Sequence, residues 1–192
     1  MTKEKMEKKI LISAGVLVLA VVLIASTVVF AQDHTATQEA STSKVTTISI
    51  VGKVADTAVS TITFPEGAPS ATVSDPYNNV DTDNDPQVVA SSDSEPVVRL
   101  KNTSAGTLKV WLGITDWTNG VVASQDYELV ETTTTTVAAV EKVLSSNGNA
   151  ATVDTTETIA ASAYKALYLE IVLSTVAGIS STSTLSVLGE SS

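Results

Sequence analysis

TLKVWLGI, residues 107–114, alternates without a break: Leu108, Val110, Leu112 and Ile114 fall on one side, and Lys109, Trp111 and Gly113 on the other. A period of two puts successive side chains on opposite faces of an extended chain, so this stretch reads as a strand with one buried face. The segment before it, PVVRLKN (96–102), repeats the pattern, with Val98 and Leu100 opposite Arg99 and Lys101. TSAG (103–106) between them carries turn residues, and the pair predicts a β-hairpin over 97–114. KALYLEIVLS (165–174) alternates Leu167, Leu169, Ile171 and Leu173 against Tyr168 and Glu170. VAGISS (176–181) then leads into TSTLSVLG (182–189), with Leu185 and Val187 in phase, which predicts a second hairpin. AVSTITF (58–64) offers Ile62 and Phe64 on one face.

Residues 65–96 break the rhythm. Pro65, Pro69, Pro76, Pro86 and Pro96 all fall there among Asp, Asn, Ser and Gly, so the stretch reads as a loop-rich insertion with one or two short strands such as QVVA (87–90). TVAAVEKVLSS (136–146) could form a short helix stopped by NGN, although the Thr run before it favours extended chain. Short strands separated by turn signals, with almost no helix, predict an all-β fold: a single jelly-roll-like β-sandwich over 55–192.

The first 31 residues read as a separate object. Lys3, Lys5, Lys8 and Lys9 precede an apolar run from Ile10 to Phe30, and Val29 and Ala31 occupy the small-residue positions before Gln32. That arrangement describes a secretory signal cleaved between Ala31 and Gln32. The run is also about long enough to span a bilayer, so retention of 10–30 as a membrane anchor is the alternative. Either way the lysines favour the inside, which places the remaining chain outside the cell or on its surface.

The chain has no cysteine, so disulfides, a lipid-modified cysteine and thiolate metal sites are all excluded. Its net charge is −10, and the leader holds four Lys and two Glu; residues 32–192 therefore carry 7 basic and 19 acidic residues, a net −12. Nucleic acid is an unsuitable partner for such a surface. No catalytic constellation is legible. The single histidine, His34, lies in a lead without periodicity, and there is no H-E-x-x-H and no Gly-rich phosphate loop.

Three candidate sites remain. In NNVDTDNDPQ (78–87), Asp81, Asp83 and Asp85 alternate as D-x-D-x-D, a pattern that can gather a hard cation such as Ca2+. Pro86 and Ser92 stand where an EF-hand-like loop wants Gly and Glu. Asn102-Thr103-Ser104 is an N-x-[ST] sequon in the expected turn, a glycan acceptor in a secreted protein. Trp111, on the polar face of its strand, either packs under a loop or meets a partner subunit.

The segments EPVVRLKNTSAGTLKVWLGITDW (95–117) and AYKALYLEIVLSTVAGISSTSTLSVLG (163–189), with the secretory leader before them, resemble the bundling-pilus subunits of archaea and their bacterial relatives, the TasA/camelysin biofilm-matrix proteins. The resemblance covers most of 45–189 and rests on pattern rather than on an invariant motif. It implies a structural subunit, not an enzyme, that polymerises with identical copies into extracellular filaments by donor-strand complementation, in biofilm or cell–cell adhesion. The net −12 of residues 32–192 makes bare filaments repel, so lateral filament–filament contacts call for multivalent cations that screen or bridge the carboxylates. Some relatives are called metalloproteases; without further histidines that role does not carry over.

On this reading residues 32–54 are a flexible lead and a protruding donor strand. In KVTTISIVGKV (44–54), Val45, Ile48, Ile50 and Val51 supply the apolar anchors a neighbour's groove could accept. The rival assignment makes 45–54 the first strand of the chain's own sandwich and leaves the polar segment 33–44 as the donor. The rival function is a monomeric, membrane-anchored binding domain on the cell surface.

Overall fold

The computed structural model describes residues 36–42, 48–90, 92–131, 136–146, 151–175 and 180–191. Among the described residues twelve strands build two sheets: β1 (Ala36–Thr42), β2 (Ile48–Val51), β3 (Thr61–Phe64), β4 (Thr72–Val73), β5 (Tyr77–Asn78), β6 (Val98–Asn102), β7 (Leu108–Ile114), β8 (Val122–Glu131), β9 (Lys142–Val143), β10 (Val153–Ile159), β11 (Tyr164–Leu173) and β12 (Ser181–Ser191). The first sheet has the order β10-β7-β12-β1-β3-β5. The second has the order β2-β6-β11-β8-β9, with β4 also on β11. The two pack together as an all-β sandwich.

The alternating positions form the core. Val110, Leu112, Leu185, Ile62 and Phe64 from the first sheet meet Val98, Leu100, Leu167, Leu169 and Leu129 from the second, all buried in one cluster. Each such side chain contributes roughly 1.5–3 kcal/mol of apolar transfer, which suits a domain that has no disulfide to rely on. Contact is close enough that Gly189 of β12 has no room for a side chain. A Cβ there would lie 2.8 Å from Leu108 Cδ1 and 3.0 Å from Ile48 Cδ1 of the facing sheet.

Both expected hairpins are corrected. β6 pairs with β2 and β11, whereas β7 pairs with β10 and β12, so TSAG carries the chain from one sheet to the other. β11 and β12 likewise lie in different sheets. Alternation reports which side chains face the core, and a strand has the same inward face whether its successor lies beside it or across from it. Asn102 holds the first crossing. Its Nδ2 donates to the carbonyls of Gly106 (2.8 Å), Ile159 (2.9 Å) and Ala160 (3.1 Å), while its Oδ1 accepts from the Ser104 N–H (2.8 Å).

Residues 136–141 form no helix and continue into β9. They lie over the outer face of the second sheet, where Val137 and Val140 pack on Ala166 and Tyr168 in a small satellite cluster. The insertion 65–96 contains β4, β5 and a short 3-10 turn at Thr82–Asn84. Of QVVA, only Val88 makes a bridge, to Glu95. The expected signal, with its Ala31–Gln32 cleavage point, and Val45 lie outside the described residues.

Candidate assembly site

The sequence ATQEAST of β1 shows no apolar alternation, yet the strand lies inside the first sheet and pairs on both sides. On one side β12 runs parallel to it, from Ala36↔Ser181 to Thr42↔Val187. On the other β3 runs antiparallel, from Ala36↔Phe64 to Glu39↔Thr61. The β1–β12 ladder is the one parallel pairing of named strands among the described residues. Main-chain hydrogen bonds on two flanks therefore supply what the side chains do not.

Two inward side chains of β1 are described. Ala36 is small and buried, and Gln38 is fully buried and polar. Gln38 reaches across the sandwich to Gln125 of β8. Its Nε2 donates to Gln125 Oε1 at 3.2 Å, and Gln125 Nε2 donates back to Gln38 Oε1 at 3.0 Å. Gln125 is itself only 2% exposed. A reciprocal amide pair satisfies two buried polar groups that would otherwise each carry a desolvation cost.

β12 is held on its far side as well. Over Ser181–Thr184 it has run past β7, whose pairing begins at Leu185↔Ile114. Hydroxyls take over. Thr115 Oγ1 accepts from the Thr184 N–H (2.8 Å), Thr118 Oγ1 accepts from the Thr182 N–H (2.9 Å), and Ser183 Oγ donates to the Thr115 carbonyl (2.8 Å). The slot wall that receives β1 is thus braced independently of β1.

The residues singled out from the sequence fall elsewhere. Ile48, Ile50 and Val51 belong to β2, paired with β6 from Ile48↔Asn102 to Val51↔Arg99 and buried in the chain's own core. Their burial gives the chain's own fold the use of those anchors, and it leaves β1 as the first described strand, with a slot around it. Sequence reasoning offered β1 only within the alternative donor segment 33–44, because a strand bonded on both edges needs no hydrophobic stripe of its own to mark it. The signal that could have marked it is the Thr-rich composition.

The cation site is corrected. Asp81 Oδ2 accepts from Asn78 Nδ2 (2.5 Å) and from the Lys53 N–H (3.0 Å), and Asp85 pairs with Lys53 Nζ at 2.5 Å. Asp83 sits at positive φ (62°) within the short turn. Lys53, its side chain 6% exposed, also pairs with Glu95 at 2.8 Å. Burial alone would lower its pKa, but hydrogen bonds to Asp85 and Glu95 outweigh that and hold it above the usual lysine value. The loop is closed by an internal ammonium, and among the described residues no group of three His, Cys, Asp or Glu could hold a metal ion.

The glycan acceptor is corrected too. Asn102 is fully buried and its Nδ2, the atom a glycan would take, makes the three hydrogen bonds of the crossing. Trp111 lies on the outer face of β7, where its Nε1 donates to Glu190 Oε2 (3.0 Å) and Lys109 Nζ stands 4.8 Å from the ring centre. Among the described residues no helix is long and apolar enough to cross a membrane.

No family model, curated protein or solved structure matches the chain.

Proposed function

We propose that the chain is a structural subunit of an extracellular filament, polymerised head to tail by passing β1 of one copy into the corresponding slot of the next. The observation that carries this reading is the position of β1: the first described strand, central in its sheet and bonded on both sides. Once the leader-like residues 1–31 are removed, β1 can withdraw without unthreading any other described strand. Its withdrawal leaves β12 and β3 with facing unpaired edges, and such edges readily take up a strand. Ala36 and Gln38 give up little apolar surface on leaving, so the exchange trades one set of main-chain hydrogen bonds for the same set in a neighbour. Every copy carries one donor and one slot, and a donor-to-slot contact that does not close extends into a filament. The leader-like residues 1–31 and the acidic, cysteine-free remainder support a location outside the cell, in adhesion or a biofilm matrix. On this reading the domain serves as a jelly-roll-like scaffold without a catalytic role.

The absence of native cysteine makes the test clean. Thr37 and Thr63 are register partners on β1 and β3, and antiparallel partners stand within disulfide reach. The Thr37→Cys, Thr63→Cys variant should form filaments when reduced and none when oxidised as a monomer, because the bond locks β1 in its own sheet. Filament growth at equal rates in both states would overturn the exchange.

A further inference from the structure

We infer that the Gln38–Gln125 amide pair sets the register and the identity of the strand that enters the slot. The inference rests on the strand-exchange reading and adds to it the residue pair by which a slot selects its donor.

Polar strands specify register weakly, since a slip moves no hydrophobic set out of the core. β1 is such a strand, and its described inward positions hold only Ala36 and Gln38. Gln125 makes the difference. It belongs to the opposite sheet, is buried, and exchanges two hydrogen bonds with Gln38. A slip by two residues would bring Ala36 or Ala40 to this place, and neither side chain has a donor or acceptor. A slip by one would bring Thr37, too short to reach across the sandwich, or Glu39, whose carboxylate would be buried without a cation. Only Gln38 in its observed register satisfies both the Nε2 and the Oε1 of Gln125. Buried polar pairs fix register in this way because every alternative leaves one member unsatisfied. The pair belongs equally to a strand supplied by another copy, so a foreign strand without an amide at this position is disfavoured by roughly tenfold or more.

The test mixes two populations carrying different fluorophores: the wild-type chain and the Gln38→Leu, Gln125→Leu double variant. Each should polymerise with itself, because replacing both partners by apolar groups of similar shape restores a satisfied core. In the mixture they should sort into separate filaments, since either cross-pairing leaves one amide buried without a partner. Random mixing within single filaments would overturn the inference while leaving strand exchange intact. Failure of the wild-type chain to form filaments would overturn both. Gln38→Glu, close to isosteric, gives a second reading that does not depend on the double variant folding. Relative to the wild-type chain at each pH, its growth should be at least tenfold slower at pH 7 and recover towards parity at pH 4, where a protonated carboxyl can both donate to and accept from Gln125. A pH-independent ratio near one would overturn the inference.

Discussion

Gln87 stands in for a strand residue against Leu169: its Oε1 accepts from the Leu169 N–H at 2.8 Å, and its Nε2 donates to the Leu169 carbonyl at 2.9 Å. β6 pairs with β11 as far as Leu167, and β4 resumes the pairing at Ile171. Between them the ladder has a gap, and the side-chain amide of Gln87 fills it. The same Nε2 donates to the Ser74 carbonyl (2.9 Å), and the Gln87 N–H bonds to the Pro76 carbonyl (2.7 Å), so one residue ties the Pro-rich insertion to the central strand of its sheet.

Gln87→Leu should therefore destabilise the domain by about 3 kcal/mol, because it leaves the main-chain N–H and C=O of Leu169 buried without partners on that side. Urea unfolding measures it, with a lower midpoint expected at an unchanged slope. A loss under about 0.5 kcal/mol would mean that the insertion is not anchored through this residue.

At Gly189 a Cβ would sit 2.8 Å from Leu108 Cδ1 and 3.0 Å from both Ile48 Cδ1 and Cγ1. Gly189→Val should cost about 2 kcal/mol through overpacking between the two sheets. Ile48→Val in the same chain should recover part of the loss by making room, and thermal unfolding of the two single variants and the double variant would show that coupling. Strict additivity would place the strain elsewhere.

Asn102 should carry no glycan when the chain is produced in a host that N-glycosylates, and intact-mass measurement checks this directly. Asn102→Ala should lower stability by about 3 kcal/mol, because the Gly106, Ile159 and Ala160 carbonyls lose their shared donor. A glycan mass on the folded wild-type protein would show that the crossing forms without those hydrogen bonds.

Much of the core was readable in advance and the pairing was not. Leu108, Val110, Leu112, Ile114, Leu167, Leu169, Leu185 and Val187 are all buried as their alternation implies. Period-two patterning reports a buried face, and it is indifferent to which sheet a strand joins, so two crossings between sheets read as two hairpins. β1 was legible only as part of the alternative donor segment 33–44, for a different reason. Its place depends on main-chain bonds to β12 and β3 and on one amide from Gln125, 87 residues away in sequence. The acidic loop misled because a D-x-D-x-D run looks the same whether a cation or the protein's own groups hold its carboxylates, and here the Lys53 ammonium takes Asp85 while the Lys53 main-chain N–H takes Asp81.

Asp126 of β8 and Glu170 of β11 are direct cross-strand partners, two carboxyls side by side on the second sheet. Burial raises both pKa values, and the Asp126 charge raises that of Glu170 further. Among the described residues no ion pair engages either group. A carboxyl whose pKa is raised on folding holds its proton more tightly in the folded state than in the unfolded one. Its contribution to stability is therefore fully present below the unfolded value, near 4, and is lost as pH rises through the folded value. Once both groups are ionised the pair opposes folding, as like charges directly opposite on neighbouring strands do. Asp126→Asn should accordingly stabilise the domain at pH 7, by up to about 1 kcal/mol given the partial exposure of both groups. The gain should shrink as pH falls and vanish below about pH 4, where the native pair is already neutral. Urea unfolding of the two chains at pH 7 and pH 3.5 measures the difference. A stabilisation that persists unchanged at pH 3.5 would show that Asn improves packing or hydrogen bonding at this position, and that the two charges do not oppose each other.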